Sequence, residues 1–133
     1  MIRNVTYKDK EVTKEIDLAV GRAFSFWEAI KMKGTGSQQL LITQCSPELE
    51  GLLKLDKYRN TCNIELRGKG VIIRFRSRLE TFAWVLPYAK LSLEVSEKSV
   101  SIYSGENFII AQHAFSYALD SKFFTKLNLL KSQ

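Results

Sequence analysis

The 133-residue chain holds one histidine, two cysteines, two prolines and seven glycines. Each shortage excludes something. His113 has no second imidazole or thiol at ligand spacing, which argues against a metal site, and no nucleophile-elbow sequence accompanies it for Ser-His-Asp chemistry. Cys45 and Cys62 form no C-x-x-C pair. The few Gly and Pro residues leave no long linker, and neither a repeat nor a low-complexity tract is present. The first fifteen residues lack an apolar run of signal-peptide length, and no segment approaches the ~20 apolar residues of a membrane span. Cytoplasm is the expected compartment, and both cysteines are expected as thiols. The sequon Asn4-Val5-Thr6 is then read as chance. No cofactor motif stands out, and no cofactor is expected.

An apolar share of 45% and a charged share of 26% describe an ordinary globular chain, of a length suited to one α+β domain spanning 1–133. The net charge is +6 and it is local. Residues 67–78, RGKGVIIRFRSR, hold Arg67, Lys69, Arg74, Arg76 and Arg78 without an acid, while the rest balances 15 bases against 14 acids.

A helical period over 10–33 places Val12, Ile16, Ala19, Val20, Ala23, Trp27 and Ile30 on one side, with Asp9 as N-cap and Gly34 as stop. Gly21 inside that helix costs roughly 1 kcal/mol against Ala. QLLITQ at 39–44 reads as a strand. Ser46-Pro47-Glu48 then opens a short helix over about 47–55 presenting Leu49, Leu52 and Leu53. From residue 60 the period becomes two. TCNIELR, VIIRFRSR, TFAWVL, LSLEVSE, SVSIYS and NFIIAQH read as six strands of an antiparallel meander, and a last helix starts at Asp120 with Phe123, Phe124, Leu127 and Leu130 inward.

Seven antiparallel strands closed by one amphipathic helix, together with WVLPY followed by Lys90-Leu91, SIYSGENFI and FFTKL, resemble small bacterial proteins with a pleckstrin-homology-like barrel. The likeness spans roughly 60–131. It implies a seven-stranded barrel, or a strongly curved sheet, with an N-terminal helix, a short inserted helix and a C-terminal helix. It also implies a scaffold that binds peptides, lipid head groups or partner domains, and it brings no catalytic residues.

Among candidate sites the basic hairpin comes first. Alternation sends Val71, Ile73 and Phe75 to one face and Ile72, Arg74 and Arg76 to the other, with arginines about 7 Å apart. Their repulsion in water is roughly 0.6 kcal/mol, which solvent and salt absorb, so a wet strand face needs no ligand. Glu65 lies opposite Arg74 if Lys69-Gly70 is the turn, and diagonal to it if Gly68-Lys69 is. Read as a site, Arg67, Lys69, Arg74, Arg76 and Arg78 suit an acidic protein or an anionic ligand, since guanidinium forks match carboxylate and phosphate oxygens. Lys69 with Arg74-x-Arg76 loosely fits a head-group pattern. Phe75 points the other way, so aromatics do not interleave and nucleic acid is disfavoured.

The loop Gly34-Thr35-Gly36-Ser37 lacks a phosphate-loop ending and runs from helix to strand, as a helix cap would. Trp27, Trp84 and the phenylalanines read as core, except Phe26, which sits beside the main stripe. Glu80 and Asp56 are isolated carboxylates. The reading is a non-catalytic binding module. The alternative is a small enzyme or ligand binder with a cleft between the N-terminal helix and the sheet.

Overall fold

The computed structural model describes residues 1–53, 60–116 and 118–133. Its class is α+β: eight antiparallel strands in one open sheet and four helices among the described residues. The six period-two segments are all strands: β3 (Thr61–Leu66), β4 (Gly70–Ser77), β5 (Glu80–Pro87), β6 (Ser92–Val95), β7 (Ser99–Ser104) and β8 (Asn107–His113). QLLITQ becomes β2 (Leu40–Cys45). The eighth strand is β1 (Ile2–Asn4), too short for its alternation to show; it pairs Ile2 with Trp84 and Asn4 with Phe82 on β5.

The order β1-β5-β4-β3-β2-β8-β7-β6 corrects the single meander. Two meanders, β3-β4-β5 and β6-β7-β8, flank β2, which pairs with β3 through Leu40 and Leu41 and with β8 along its length. A bulge between Ile42 and Gln44 bends β2. Without β1, the order of the strands from β2 to β8 ends in β5 on one side and β6 on the other; these two do not pair, and a 3-10 turn (Tyr88–Lys90) connects them.

Inward side chains build the main core. Ile64, Ile73, Phe75, Trp84, Leu86, Ile102 and Ile109 meet Leu49 and Leu53 of α3 (Pro47–Leu53) and Phe123, Phe124 and Leu127 of α4 (Ser121–Lys131). The final two residues expected in the inserted helix lie outside the described residues. Asp120 caps α4 by accepting from Lys122 N–H.

The long N-terminal helix is a correction. It is two helices, α1 (Lys10–Val20) and α2 (Phe26–Lys31). Asp9 caps α1, but Gly21, at φ 90°, ends it. That φ lies in the region where a side chain is strained, so Gly21 is the stop rather than a flaw inside a helix. Ile16 and Val20 of α1 pack on the outer face of the sheet against Ile72, Ala83 and Val85. The face between this helix and the sheet is therefore filled with apolar side chains. Past the break the stripe no longer faces the protein, and Trp27 and Ile30 stand 72% and 52% exposed. Trp27 and Phe115 are surface residues, not core; Phe26, the exception among the phenylalanines, is exposed too, and Trp84 is buried as expected.

Candidate anion-binding groove on the outer sheet face

The hairpin turn is Gly68-Lys69, with Leu66 opposite Val71 and Arg67 N–H donating to Gly70 O at 2.9 Å. Glu65 thus faces Ile72 and reaches Arg74 on the diagonal. The five cations of 67–78 do not form one stripe. Lys69 and Arg78 sit in turns at opposite ends of β4, roughly 25 Å apart at ~3.3 Å per residue. Arg78 takes φ 57° in the β4–β5 turn.

Arg67 is 6% exposed. Its Nη1 donates to Asp17 Oδ1 at 3.0 Å and to Gly21 O at 2.7 Å, while Nε donates to Glu65 Oε2. Its own carbonyl accepts from the Tyr88 hydroxyl at 2.8 Å. α1 carries no basic residue in its last turn, and Arg67 brings a cation to that negative end of the helix dipole. The neighbouring turn is pinned as well, with Lys69 N–H donating to Val20 O and Tyr88 N–H to Lys69 O. These bonds lock the hairpin to α1 and to the β5–β6 connection. Arg67 is a structural rivet, not part of a wet face.

Glu65 is shared. One carboxylate oxygen takes Arg67, the other Arg74. Burial pushes its pKa up, but the hydrogen bonds and charges of the two guanidiniums outweigh that and hold it below the ordinary value. Arg74, with its side chain 34% exposed, is half committed to this network.

Arg76 differs. It is exposed, its Nε donates to Arg78 O at 3.1 Å, and it meets no carboxylate among the described residues. Arg74 and Arg76 open onto a depression of about 390 Å³ whose other polar walls are Gln39, Thr61, Asn63 and Thr81. Cys62 and Phe75 also border it. Register explains the gathering: Asn63 pairs with Arg74, Arg76 with Thr81, and Thr61 with Leu41 beside Gln39. Gln39 Nε2 donates to Thr61 Oγ1 at 3.0 Å. The result is two guanidiniums among amides and hydroxyls, with Glu65 on one flank. Guanidinium forks match the geometry of carboxylate and phosphate oxygens.

Of the predicted residues, then, Arg74 and Arg76 line the groove, Arg67 is joined to Arg74 through Glu65 but buried, and Lys69 and Arg78 sit in the turns at either end of β4. Gln39, Thr61, Asn63 and Thr81 went unread, though alternation across paired strands would have put the last three on the arginine face.

The other candidates resolve simply. Gly34 at φ 99° donates to Ala29 O and ends α2, and the next residues zip onto β3, where Leu66 N–H donates to Thr35 O and Ile64 N–H to Ser37 Oγ. The loop is a cap and connector. His113 Nδ1 accepts from Phe115 N–H at 3.0 Å, so Nε2 carries the proton and donates to Gln38 Oε1. Cys62 is buried, and burial raises its thiol to about 12. Cys45 is likewise raised by burial, and neither is bonded in a disulfide. Glu80 accepts from Asn4 Nδ2, whereas Asp56 lies outside the described residues. Among the described residues no three His, Cys, Asp or Glu side chains come together, and no helix is long and apolar enough to cross a membrane.

No family model, curated protein or solved structure matches the chain.

Proposed function

We propose that the protein is a non-catalytic binding module that takes carboxylate or phosphate groups of an acidic partner in the groove at Arg74 and Arg76. The carrying observation is Arg76: an exposed guanidinium without a carboxylate among the described residues, beside Arg74 in a polar depression. A guanidinium fork in that setting gains two parallel hydrogen bonds from one oxyanion. The pleckstrin-homology-like reading of the scaffold is supported by the pairing of β2 with β8, the first and last of seven strands, and by α4 inserting its aromatic residues into the core.

The test uses Arg76→Gln, because Arg74 also serves the Glu65 network. A fluorescein-labelled Glu-rich peptide is titrated at low ionic strength. The wild type should bind and weaken steeply with salt, and the variant should bind at least tenfold more weakly with stability changed by no more than ~0.5 kcal/mol. A wild type that ignores the peptide and inorganic pyrophosphate alike, or a variant that binds as well, removes the proposal.

A further inference from the structure

α2 is displayed rather than merely uncovered. Phe24 just before it and Met32 at its end pack against the main core, while Phe26, Trp27 and Ile30 between them point outward. Its ends are fixed. Ser25 and Glu28 form a capping box at the start, and Lys126 Nζ donates to Lys33 O and Gly34 O beyond the finish. The Phe26 and Trp27 rings meet edge to face at 5.6 Å. With Phe26 73% and Trp27 72% exposed, and aromatic side chains offering about 150–250 Å² each, the two rings alone show roughly 300 Å² to solvent. A patch of that extent is of the size of the largest apolar patch on a typical monomer, which is often functional.

The charges along this stretch are mostly of one sign. Between Gly21 and Gly36 the only acid is Glu28, against Arg22, Lys31 and Lys33. Glu28 is already taken by Arg22, at 3.0 Å, and by the cap. Lys69 lies across a depression of about 350 Å³ that Arg22, Glu28 and Gly68 also line, and Lys126 approaches from α4. Apolar rings within a cationic collar complement a surface that is apolar within and anionic at its rim. A second copy of the chain fits poorly, because a two-fold contact would set the collar against itself. The rings protrude from a helix, a shape suited to sinking into a soft layer.

We propose that α2 is a membrane-contact element: Phe26, Trp27 and Ile30 enter the boundary between head groups and acyl chains of an anionic bilayer, and Arg22, Lys31, Lys33 and Lys69 meet its phosphates. The indole suits this depth, an apolar body with a polar N–H. The surface is separate from the groove at Arg76, and the inference does not rest on that site.

The full chain is mixed with vesicles of phosphatidylcholine alone, and of phosphatidylcholine with phosphatidylglycerol, and binding is read by co-sedimentation and tryptophan emission. The mixed vesicles should sediment the protein and shift Trp27 emission to the blue, while buried Trp84 gives a constant background. Phe26→Ala with Trp27→Ala should weaken partitioning at least tenfold at an unchanged melting temperature, as should Trp27→Gln alone to a lesser degree. Lys31→Gln with Lys33→Gln should abolish the preference for phosphatidylglycerol. The inference fails if the wild type stays in solution with mixed vesicles at low salt. It fails equally if the ring variants bind unchanged, or if the rings instead hold a dimer that the same substitutions dissolve.

Discussion

Glu65 shows how much one carboxylate can organise. It joins Arg67, which reaches α1, to Arg74, which opens onto the groove, so structure and candidate site share an anion. Glu65→Gln keeps the shape and removes the charge. The loss expected at neutral pH is on the order of 2 kcal/mol, below the ~3–5 kcal/mol of a fully buried pair because Glu65 keeps 28% of its side-chain surface and Asp17 still serves Arg67. Its folded pKa lies below the ordinary 4.5, so its contribution is complete above that value and is lost as pH falls through the folded one. In urea titrations the gap between wild type and variant should therefore close on acidification below about pH 4. A gap of constant size down to full protonation would assign the loss to packing. Gly70 carries a second prediction. A Cβ there would stand 2.4 Å from Leu86 O, 2.5 Å from Val20 Cγ1 and 2.9 Å from Pro87 Cα. Two of these are backbone atoms of a paired strand and cannot give way. Gly70→Ala should cost about 2 kcal/mol or more, whereas Gly68→Ala, with nothing within 4 Å, should stay within ~0.5 kcal/mol by chemical denaturation.

At the scale of elements, the break at Gly21 decides where the N-terminal segment ends its contact with the sheet. A glycine inside a continuous helix would be improved by alanine, by about 1 kcal/mol. Here φ is 90°, and Gly21 O accepts from the buried Arg67. Gly21→Ala should instead destabilise the protein by about 1 kcal/mol or more, read as a lowered Tm. A raised Tm would restore the single-helix view. The same break turns Trp27 and Ile30 from the core to solvent, so the displayed face of α2 follows from the cap one turn upstream.

For the molecule as a whole, the sheet is open and α4 adds three buried side chains to its core. Phe123, Phe124 and Leu127 are buried in the same core as Trp84 and Ile102, at about 1.5–3 kcal/mol each, against a total stability of roughly 5–15 kcal/mol for a typical domain. Deleting 120–133 should leave a chain that aggregates or lacks a cooperative melting transition. A monomer with an unchanged melting curve, seen by light scattering and calorimetry, would show that the sheet closes its core alone. α1 makes a second, smaller core on the outer face, and Arg67 couples the two by tying the hairpin to the helix end.

Seven of the eight strands, the inward faces of Cys62, Ile64, Val71, Ile73 and Phe75, the caps at Asp9 and Asp120 and the buried side of α4 were all determined by the sequence alone. Their signals are local: an alternation with one buried face has one stable register, and a cap acts within a turn of itself. Glu65 was legible as a partner for Arg74 for the same reason, being a hairpin neighbour. Only the tertiary structure decided the rest. The apolar period of 3.6 runs unbroken through Gly21, and what ends α1 there is a backbone conformation fixed by docking against Gly68 and Lys69. β1 has too few residues to show a pattern and exists because β5 offers an edge. Arg67 reads like its neighbours, yet it is buried because Asp17 and the Gly21 carbonyl, 50 and 46 positions away, are brought to it. Spacing along a chain carries no record of such meetings, and they are what separate the arginine that holds the fold from the arginine left exposed beside the groove.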